Sequence, residues 1–466
     1  MPQETPPKEH RRRLVGLARP VYGELLAGVV AGIVNMVWVA RLGGPAVAAV
    51  AVATNVENLA LGLILMAGSG TTVLVARARG ARDPVALSTA VRGGWALWAL
   101  LTPAVAVGGW ALREPLARLV LGGADGPALR LAADYFAISL PGLAVFFAQN
   151  LLDGVLKGAG DTRTPMRLAF LANALILVLD PLLIFGLCGL PRLGVTGAAW
   201  ATVAGRSIAL AAGLVALRRN HLLRRNHLLR RAAATARPAG RTPGGRLAAL
   251  RAAAATGLPM AADFTARMAG SLLLVAVVAR IGVTSVAAYA IATKAMYVAT
   301  MSFYAVRQAA AIHTAHSLGA GRDVRAAIAR EAALLGLALG ALAAVALPAA
   351  APWVMRAFGA RPDVAEAGAA FLRCVGPYLA LLGCLIALGG VFEGSGGSPL
   401  MLRVTLVGTA VQLPLAYGLS GFGLPGVCAA MALAAALQCL AVLALSRRFT
   451  PPRAAARRAA ERAGAA

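Results

Sequence analysis

The sequence predicts an all-α membrane protein of about twelve transmembrane helices, arranged as two parallel bundles of six helices each. Three observations support this fold class. The 466-residue chain is 59% hydrophobic and only 14% charged, and its mean hydropathy is +0.74. The apolar residues fall into about twelve stretches, each long enough to cross a bilayer. The second half of the chain repeats the first.

Each apolar stretch approaches the roughly 20 residues that a helix needs to cross about 30 Å of hydrocarbon. The first six spans are expected near residues 20–40, 45–75, 91–112, 129–153, 166–187 and 194–217. The second six are expected near residues 252–281, 285–312, 328–350, 366–391, 400–420 and 424–446. The predicted organisation is a tail (1–19), an N-terminal bundle (20–217), a basic linker (218–251), a C-terminal bundle (252–446) and a second basic tail (447–466).

The net charge of +27 lies mostly in short segments between the apolar stretches. In a soluble domain such a charge would suggest a nucleic-acid partner, but this placement indicates membrane topology instead. If the N-terminus is cytoplasmic, the basic segments around Arg79, Lys157 and Arg325 and the linker all face inward, as the positive-inside rule requires. We therefore expect a monomeric, multi-pass protein of the cell membrane, with both termini cytoplasmic and no nucleic-acid partner.

The five cysteines show no CxxC spacing and mostly lie in apolar stretches, so we expect no disulfide framework, metal site or cofactor. The linker contains the tandem RRNHLLRRNHLLRR. The simplest interpretation is a solvated basic loop with a six-residue duplication. Two alternatives stay open: its arginines bind anionic lipid, or His221 and His227 bind a metal.

The internal repeat is clearest in VARLGGPAVAAVAVAT, from Val39, which matches VARIGVTSVAAYAIAT, from Val278, at ten of sixteen positions. The same offset of 239 residues pairs Glu24 with Asp263. Later, GAGDTRTPM resembles GSGGSPLM with two residues missing. Because six is an even number, both halves enter the membrane with the same polarity. This predicts a parallel repeat, an arrangement found in transporters that rock two bundles around a central cavity.

Ionisable residues at membrane depth are costly and are candidates for function. Asp180 lies in the fifth span directly before Pro181. Proline has no N–H, so the carbonyl of Leu177 is left free, and a carboxylate beside it can hold a proton or a small hard cation. The structural alternative is that Asp180 only satisfies backbone groups around the kink.

Glu57 lies in the middle of the second span, within the motif ATNVEN. A lone carboxyl at this depth suits a proton carrier; the alternative is a pair with a polar group of a neighbouring helix. In the seventh span Asp263 precedes Arg267 by four residues, and an ion pair along the helix is the simple explanation. Lys294, in the eighth span, has no acidic neighbour in sequence. Weaker candidates for a polar cavity wall are Gln149, Asn150, Arg307 and Gln308.

From Pro20 to its final span the chain resembles the multidrug and toxic compound extrusion (MATE) family. The motifs that carry the resemblance are RLG and RIG at the ends of the first and seventh spans, GAR and GAG after the second and eighth, GAGDTRTP after the fourth and LDPLLIFG in the fifth. The resemblance implies a V-shaped fold of two six-helix bundles. It also implies export of small organic molecules, driven by an inward flow of protons or sodium ions.

The resemblance assigns ion coupling to Asp180 and, with it, to Thr202 in the sixth span. The chain departs from the family at two positions, because Asn35 stands where an Asp is expected and Ile176 where an Asn is expected. An asparagine cannot ionise. Either Asp180 therefore works alone, or Glu57 supplies a second carboxylate.

In the second half, Arg267 stands where the sodium-coupled, NorM-like branch of the family has a glutamate, and the tenth span has no acid between Glu366 and Glu393. The proton-coupled, DinF-like branch fits better, with H⁺ rather than Na⁺ as the coupling ion. A basic residue is common in the family at the position of Lys294. The residues assigned to the substrate cavity are Arg267, Lys294, Asp263, Asn55, Gln149 and Asn150. Its cationic wall favours anionic or zwitterionic cargo.

An enzyme is not expected, because the chain contains no HExxH, no GxSxG and no clustered His/Asp pair on a span. Two other functions stay open. A lipid-linked sugar flippase of the same superfamily would usually have additional spans and a larger basic cavity. A degenerate transporter without ion coupling would be consistent with Asn35.

Overall fold

The computed structural model describes residues 7–120, 126–189, 191–218 and 243–447. The first half forms α1 (Pro7–Ala40), α2 (Gly44–Gly80), α3 (Pro84–Ala111), α4 (Arg113–Val120), α5 (Pro127–Gly158), α6 (Arg163–Phe185) and α7 (Val195–Arg218). The second half forms α8 (Pro243–Ala279), α9 (Val283–Gly319), α10 (Arg325–Ala357), α11 (Pro362–Cys374), α12 (Gly376–Ser395), α13 (Ser398–Leu419) and α14 (Gly423–Ser446). The described residues form helices and connecting turns, which confirms the all-α fold class.

Within the described residues, eleven segments are long and apolar enough to cross a membrane. The last, Ser398–Ser446, contains both α13 and α14. Among the described residues the number of helices that can span the membrane therefore agrees with the predicted number of about twelve. Large apolar side chains cover the outer surface, where Val283 is 87% and Trp353 is 73% exposed. Such a surface suits lipid rather than water. The chain is a multi-pass membrane protein.

The described residues form two compact units. The N-terminal unit contains Gly16–Thr265 and Ala315–Arg322, and the C-terminal unit contains the described residues before Gly16, Ala266–Thr314 and the described residues from Asp323 onward. Helices α1, α8 and α9 contribute residues to both units. The domain boundaries expected from the repeat stay a prediction. Most of the predicted linker, including His221 and His227, lies outside the described residues, and α8 begins at Pro243.

Helix α5 is the centre of packing in the N-terminal unit, where it contacts α2, α3 and α7, while α6 packs on α7. Small residues allow the closest contacts. A Cβ atom on Gly154 of α5 would lie 2.6 Å from the carbonyl oxygen of Gly68 of α2, so these backbones approach too closely for a larger residue. Phe136, Phe147 and Leu151 of α5 are fully or almost fully buried in the core.

The C-terminal unit repeats this arrangement. Helix α12 packs on α10 and α14, and α13 packs on α14. These pairs correspond to the contacts of α5 with α3 and α7, and of α6 with α7. A Cβ atom on Gly340 of α10 would lie 2.5 Å from the carbonyl oxygen of Leu379 of α12, so a glycine again permits a close contact. The predicted repeat therefore extends to helix packing.

Backbone turns repeat at the same offset as the sequence. Gly43 and Gly282 end the RLG and RIG motifs with φ angles of 101° and 145°, and Arg82 and Gly321 follow the GA pairs with φ angles of 53° and 74°. Positive φ is readily adopted by glycine and costs other residues free energy. Equivalent turns therefore hold the same unusual conformation, even where one copy has an arginine.

Candidate functional site

The candidate site is built on a hydrogen bond between α1 and α6. Asn35 Nδ2 donates to Asp180 Oδ2 over 2.8 Å. The Asp180 side chain is 0% exposed, and its Oδ1 atom has no hydrogen-bond partner among the described residues. Buried polar oxygens nearly always have a partner. This oxygen is therefore available to a proton or a ligand.

An aromatic contact positions the two helices. The rings of Trp38 in α1 and Phe185 in α6 pack edge to face with centroids 6.1 Å apart, and the guanidinium of Arg41 lies 4.8 Å from the Trp38 ring centroid. Asn35 lies one helical turn before Trp38, on the same face of α1. The aromatic contact therefore holds Asn35 against the end of α6 that carries Asp180.

Helix α6 continues through Pro181 to Phe185 and packs tightly on α7. A Cβ atom on Gly205 of α7 would lie 2.8 Å from Cγ1 of Ile176. Ile176 is 5% exposed, so the position at which the family pattern has an asparagine is filled here by a packed apolar group. Among the described residues the hydrogen-bond partner of Asp180 is the Asn35 side chain, not the backbone at the kink.

A second set of polar residues in the N-terminal unit surrounds Glu57 of α2. Its carboxyl interacts electrostatically with Arg206 of α7. The phenol of Tyr135 on α5 interacts with Glu57, and also with Asp180. Arg206 lies 3.8 Å from the ring centroid of Phe146, a cation–π contact. The alternative in which Glu57 has a polar partner on another helix fits this geometry, because Arg206 of α7 and Ser139 of α5 both act on its carboxyl.

Arg206 and Tyr135 were not among the residues expected from the sequence. Arg206 could have been found, because an arginine in the middle of a span is costly and usually functional. Tyr135 gave no such signal. Its relation to Asp180 depends on how α5 and α6 pack, which the sequence of either helix alone does not determine.

A third charged group joins α1 to the last turn of α5. Lys157 Nζ lies 2.7 Å from Glu24 Oε1, and Asp153, one turn before Lys157, interacts electrostatically with both. Lys157 and Asp153 are each 8% exposed. On sequence, Lys157 was part of a basic cytoplasmic segment and Glu24 only a repeat partner of Asp263, so this group was not expected.

In the C-terminal unit Arg267 interacts with the phenol of Tyr378, which is also close to Tyr289 and Tyr304. Lys294 is exposed on α9. Arg267 therefore lies near an aromatic side chain that carries a hydroxyl group. Arg307 is 5% exposed and lies 2.7 Å from Glu393, so it forms a buried ion pair.

The other expected residues lie at separate places. Asn55 is exposed on α2, and Thr202 is half-buried on α7. Gln149 is 7% exposed and Asp263 is 1% exposed. The amide of Asn150 lies against Gly68. The structure brings together Asn35 and Asp180, while the assignment of the remaining residues to a substrate cavity stays a prediction.

Comparison with known proteins gives related transporters. The probable multidrug resistance protein NorM of Thermotoga maritima is 30% identical over 208 residues, which cover 45% of this chain and 44% of that protein. An FAD transporter of Shewanella oneidensis is 30% identical over 173 residues, or 37% of this chain and 38% of that protein. In each case the match spans less than half of the relative. A probable NorM of Deinococcus radiodurans is 28% identical over 430 residues, or 90% and 89% of the two chains.

Two solved structures share the fold. An outward-facing MATE family transporter of the MOP superfamily has a TM-score of 0.82 at 22% identity. A MOP superfamily transporter of Pyrococcus furiosus has a TM-score of 0.81 at 22% identity. Each match covers 94% of this chain and 96% of the other.

The MatE family model matches residues 20–182 and 259–418. The two matched segments together make up more than half of the chain, and one lies in each half of the repeat. Members of this family are transporters of small molecules and not enzymes. The chain therefore belongs to the MATE family of membrane transporters.

Proposed function

We propose that this protein is an antiporter of the cell membrane that exports small organic molecules in exchange for protons, with both termini in the cytoplasm and Asp180 carrying the coupling proton. The observation that supports this most is the state of the Asp180 carboxyl. It is fully buried, one oxygen is bonded to Asn35, and the other has no partner among the described residues. A buried group of this kind gains most from binding a proton.

Protonation changes what Asp180 does to its surroundings. As a carboxylate it only accepts hydrogen bonds, and Asn35 supplies one of them. As a carboxylic acid it is neutral and also donates a hydrogen bond. Binding of a proton therefore removes a charge from the contact between α1 and α6. Release of the proton restores the charge, and this alternation can favour two different arrangements of the same helices.

A proton suits this site better than Na⁺. A small hard cation takes several oxygen ligands, and the groups near Asp180 offer few. Asn35 contributes one amide and the kink at Pro181 frees one carbonyl, whereas Ile176 is apolar and packed against Gly205. A proton needs a single oxygen. The same argument supports placement near the DinF-like branch of the family.

Glu57 is assigned an electrostatic role rather than proton transport. Arg206 and Ser139 act on the Glu57 carboxyl, while Asp180 has a neutral amide as its hydrogen-bond partner. Tyr135 lies close to both Glu57 and Asp180. We therefore assign the exchangeable proton to Asp180.

The cargo is proposed to include anionic organic molecules. Arg267, near the phenol of Tyr378, offers a cation close to an aromatic residue, a combination that suits a planar anion. Relatives of this chain carry the names multidrug resistance protein and FAD transporter. These names are consistent with a broad range of aromatic cargo.

Efflux from proteoliposomes tests the proposal. Vesicles containing the purified protein are loaded with ethidium or with carboxyfluorescein, and the outside is acidified. We expect efflux of at least one probe to follow the pH gradient and to be lost in Asp180→Asn. Asp134→Asn removes an exposed acid on α5 and should keep it. Full efflux by Asp180→Asn, or efflux that follows a sodium gradient instead, would contradict the proposal.

A further inference from the structure

We propose that the N-terminal unit contains a second proton-binding site, in which the carboxyl of Asp153 binds a proton beside the buried ion pair of Glu24 and Lys157. We assign to this site the release of the coupling proton to the cytoplasm. Only the direction of proton movement rests on the proposed function; the site itself rests on the geometry and charge of these three residues.

The three side chains form one buried group. Lys157 Nζ lies 2.7 Å from Glu24 Oε1, with the two side chains 10% and 14% exposed. Asp153 is 8% exposed and lies one helical turn before Lys157. Asp153 Oδ1 and Glu24 Oε2 have no hydrogen-bond partner among the described residues. Each acid therefore has an oxygen to which a proton can bind.

The charges of this group do not balance. Two carboxylates and one ammonium leave one negative charge away from water, and an isolated charge in that position is usually neutralised by a proton. The ammonium compensates one acid, so a single proton completes the neutralisation.

Among the described residues, the charged groups that act on the Asp153 carboxyl come from α1 and α5. The charged groups that act on Asp153 are Glu24 and Lys157. From α2, Thr72 faces the neighbouring Gly154, but its hydroxyl donates to the carbonyl of Gly68 over 2.9 Å. The thioether of Met166 on α6 lies 3.3 Å from the Cβ position of Gly23. These neighbours are uncharged, which leaves the proton as the balancing charge.

The position equivalent to Asp153 carries no acid in the second half of the chain. The later part of the repeat aligns Lys157 with Glu393 and Asp153 with Gly389. Glu393 pairs with Arg307 over 2.7 Å, and there is no second acid where Asp153 stands. The surplus carboxyl is therefore a property of the N-terminal unit and not of the repeated fold.

The site lies far from Asp180 along the membrane normal. Helix α6 begins at Arg163, close to the end of α5 that carries Lys157, and rises about 25 Å before Asp180. Asp180 and Asp153 therefore lie near opposite ends of a span. A proton taken up by Asp180 on the outer side can leave to the cytoplasm from Asp153 on the inner side.

Infrared spectroscopy of the purified protein tests the site without a substrate, because a protonated carboxyl has its own C=O stretching band. We expect Asp153→Asn to lose the band of one protonated carboxyl and Lys157→Gln to gain one. The control variant Asp134→Asn removes an exposed acid and should leave the number of protonated-carboxyl bands unchanged. An unchanged band in Asp153→Asn, or no gain in Lys157→Gln, would overturn the proposal. A Lys157→Gln variant that gains the band keeps the test decisive if Asp153→Asn folds poorly.

The release role is tested separately, by ethidium efflux at different internal pH values. We expect Asp153→Asn to lose most of the dependence on internal pH while the response to external pH stays. An unchanged dependence on internal pH would contradict the release role. Asp180→Asn distinguishes the two proposals, because failure of Asp180 to act in coupling leaves the infrared result at Asp153 untouched.

Discussion

The two units of this protein share a backbone plan but treat buried charge differently. In the N-terminal unit Glu24, Asp153 and Asp180 each have a buried carboxyl oxygen without a hydrogen-bond partner among the described residues. In the C-terminal unit Glu393 is paired directly with Arg307. Helix packing and turns require equivalent residues in both copies, whereas charge does not. Proton chemistry can therefore be confined to one copy of a duplicated fold.

The turns show which features are shared. Gly43 and Gly282 hold positive φ angles at equivalent positions, because the chain must reverse direction there in both halves. Lys157 and Glu393 also occupy equivalent positions but carry opposite charges. Each finds a partner of opposite sign on another helix. The partner helices are not equivalent, because Lys157 pairs with α1 and Glu393 with α9, so the two halves compensate this charge by different contacts.

Removal of one acid from each unit is expected to give the largest difference in the free energy of unfolding. Glu393→Gln breaks the buried ion pair of Glu393 with Arg307, and we expect a loss of about 3–5 kcal/mol in the free energy of unfolding. Asp153→Asn leaves Glu24 paired with Lys157, and we expect a loss below about 1 kcal/mol, or a gain. Thermal unfolding in detergent measures both. Equal losses would contradict the assignment of surplus charge to the N-terminal unit.

A smaller difference is expected in transport selectivity. Arg267→Gln removes the cation that acts on Tyr378 in the C-terminal unit. We expect export of carboxyfluorescein to fall about tenfold, the value of roughly one charge-assisted hydrogen bond. Ethidium efflux should keep its dependence on the pH gradient. Loss of that dependence in Arg267→Gln would show that coupling is not confined to the N-terminal unit.

The smallest difference concerns the loops before α3 and α10. Asp83 accepts hydrogen bonds from the backbone N–H groups of Val85 and Ala86 at 2.8 and 3.0 Å, so Asp83→Ala should cost about 1 kcal/mol. Asp323 accepts one longer backbone hydrogen bond, from Arg325 N–H at 3.3 Å, and is held mainly by the Arg325 guanidinium. Because both side chains are partly exposed, Asp323→Ala should cost less than about 0.5 kcal/mol. Chemical denaturation at neutral pH compares the two variants, and the reverse order would contradict this account.

Asp323 also gives this loop a pH dependence. Hydrogen bonds from Arg325 hold the pKa of Asp323 below its ordinary value. A lowered pKa in the folded state stabilises the protein above the ordinary aspartate range, and the contribution is lost as the pH falls through the folded-state pKa. The difference between wild type and Asp323→Ala should therefore shrink on acidification.

Much of the fold could be predicted from the sequence, because span length and hydropathy are local properties and the repeat is visible in the motifs. The positions at which helices break were harder to predict. Helix α4 follows α3, and α11 precedes α12, but the equivalent segments are single helices in the other half. Whether a helix breaks there depends on packing that the apolar sequence does not reveal.

The candidate site was predicted in part. Asp180 and Asn35 were predicted as ion-coupling residues from their positions and from the family resemblance. In the structure their side chains form a hydrogen bond. Lys157 and Glu24 are 133 residues apart in the chain, and their contact depends on the rotation of α1 and α5 about their axes. Arg206 was missed although its depth in the span was a sufficient signal.

Proton movement during export tests the central claim most directly. A pH-sensitive dye such as pyranine, trapped inside the proteoliposomes, reports protons that enter as ethidium leaves. We predict internal acidification during ethidium export by the wild type and by Asp134→Asn, and none with Asp180→Asn. Acidification by Asp180→Asn at the wild-type rate, or ethidium export by the wild type without acidification, would contradict the account.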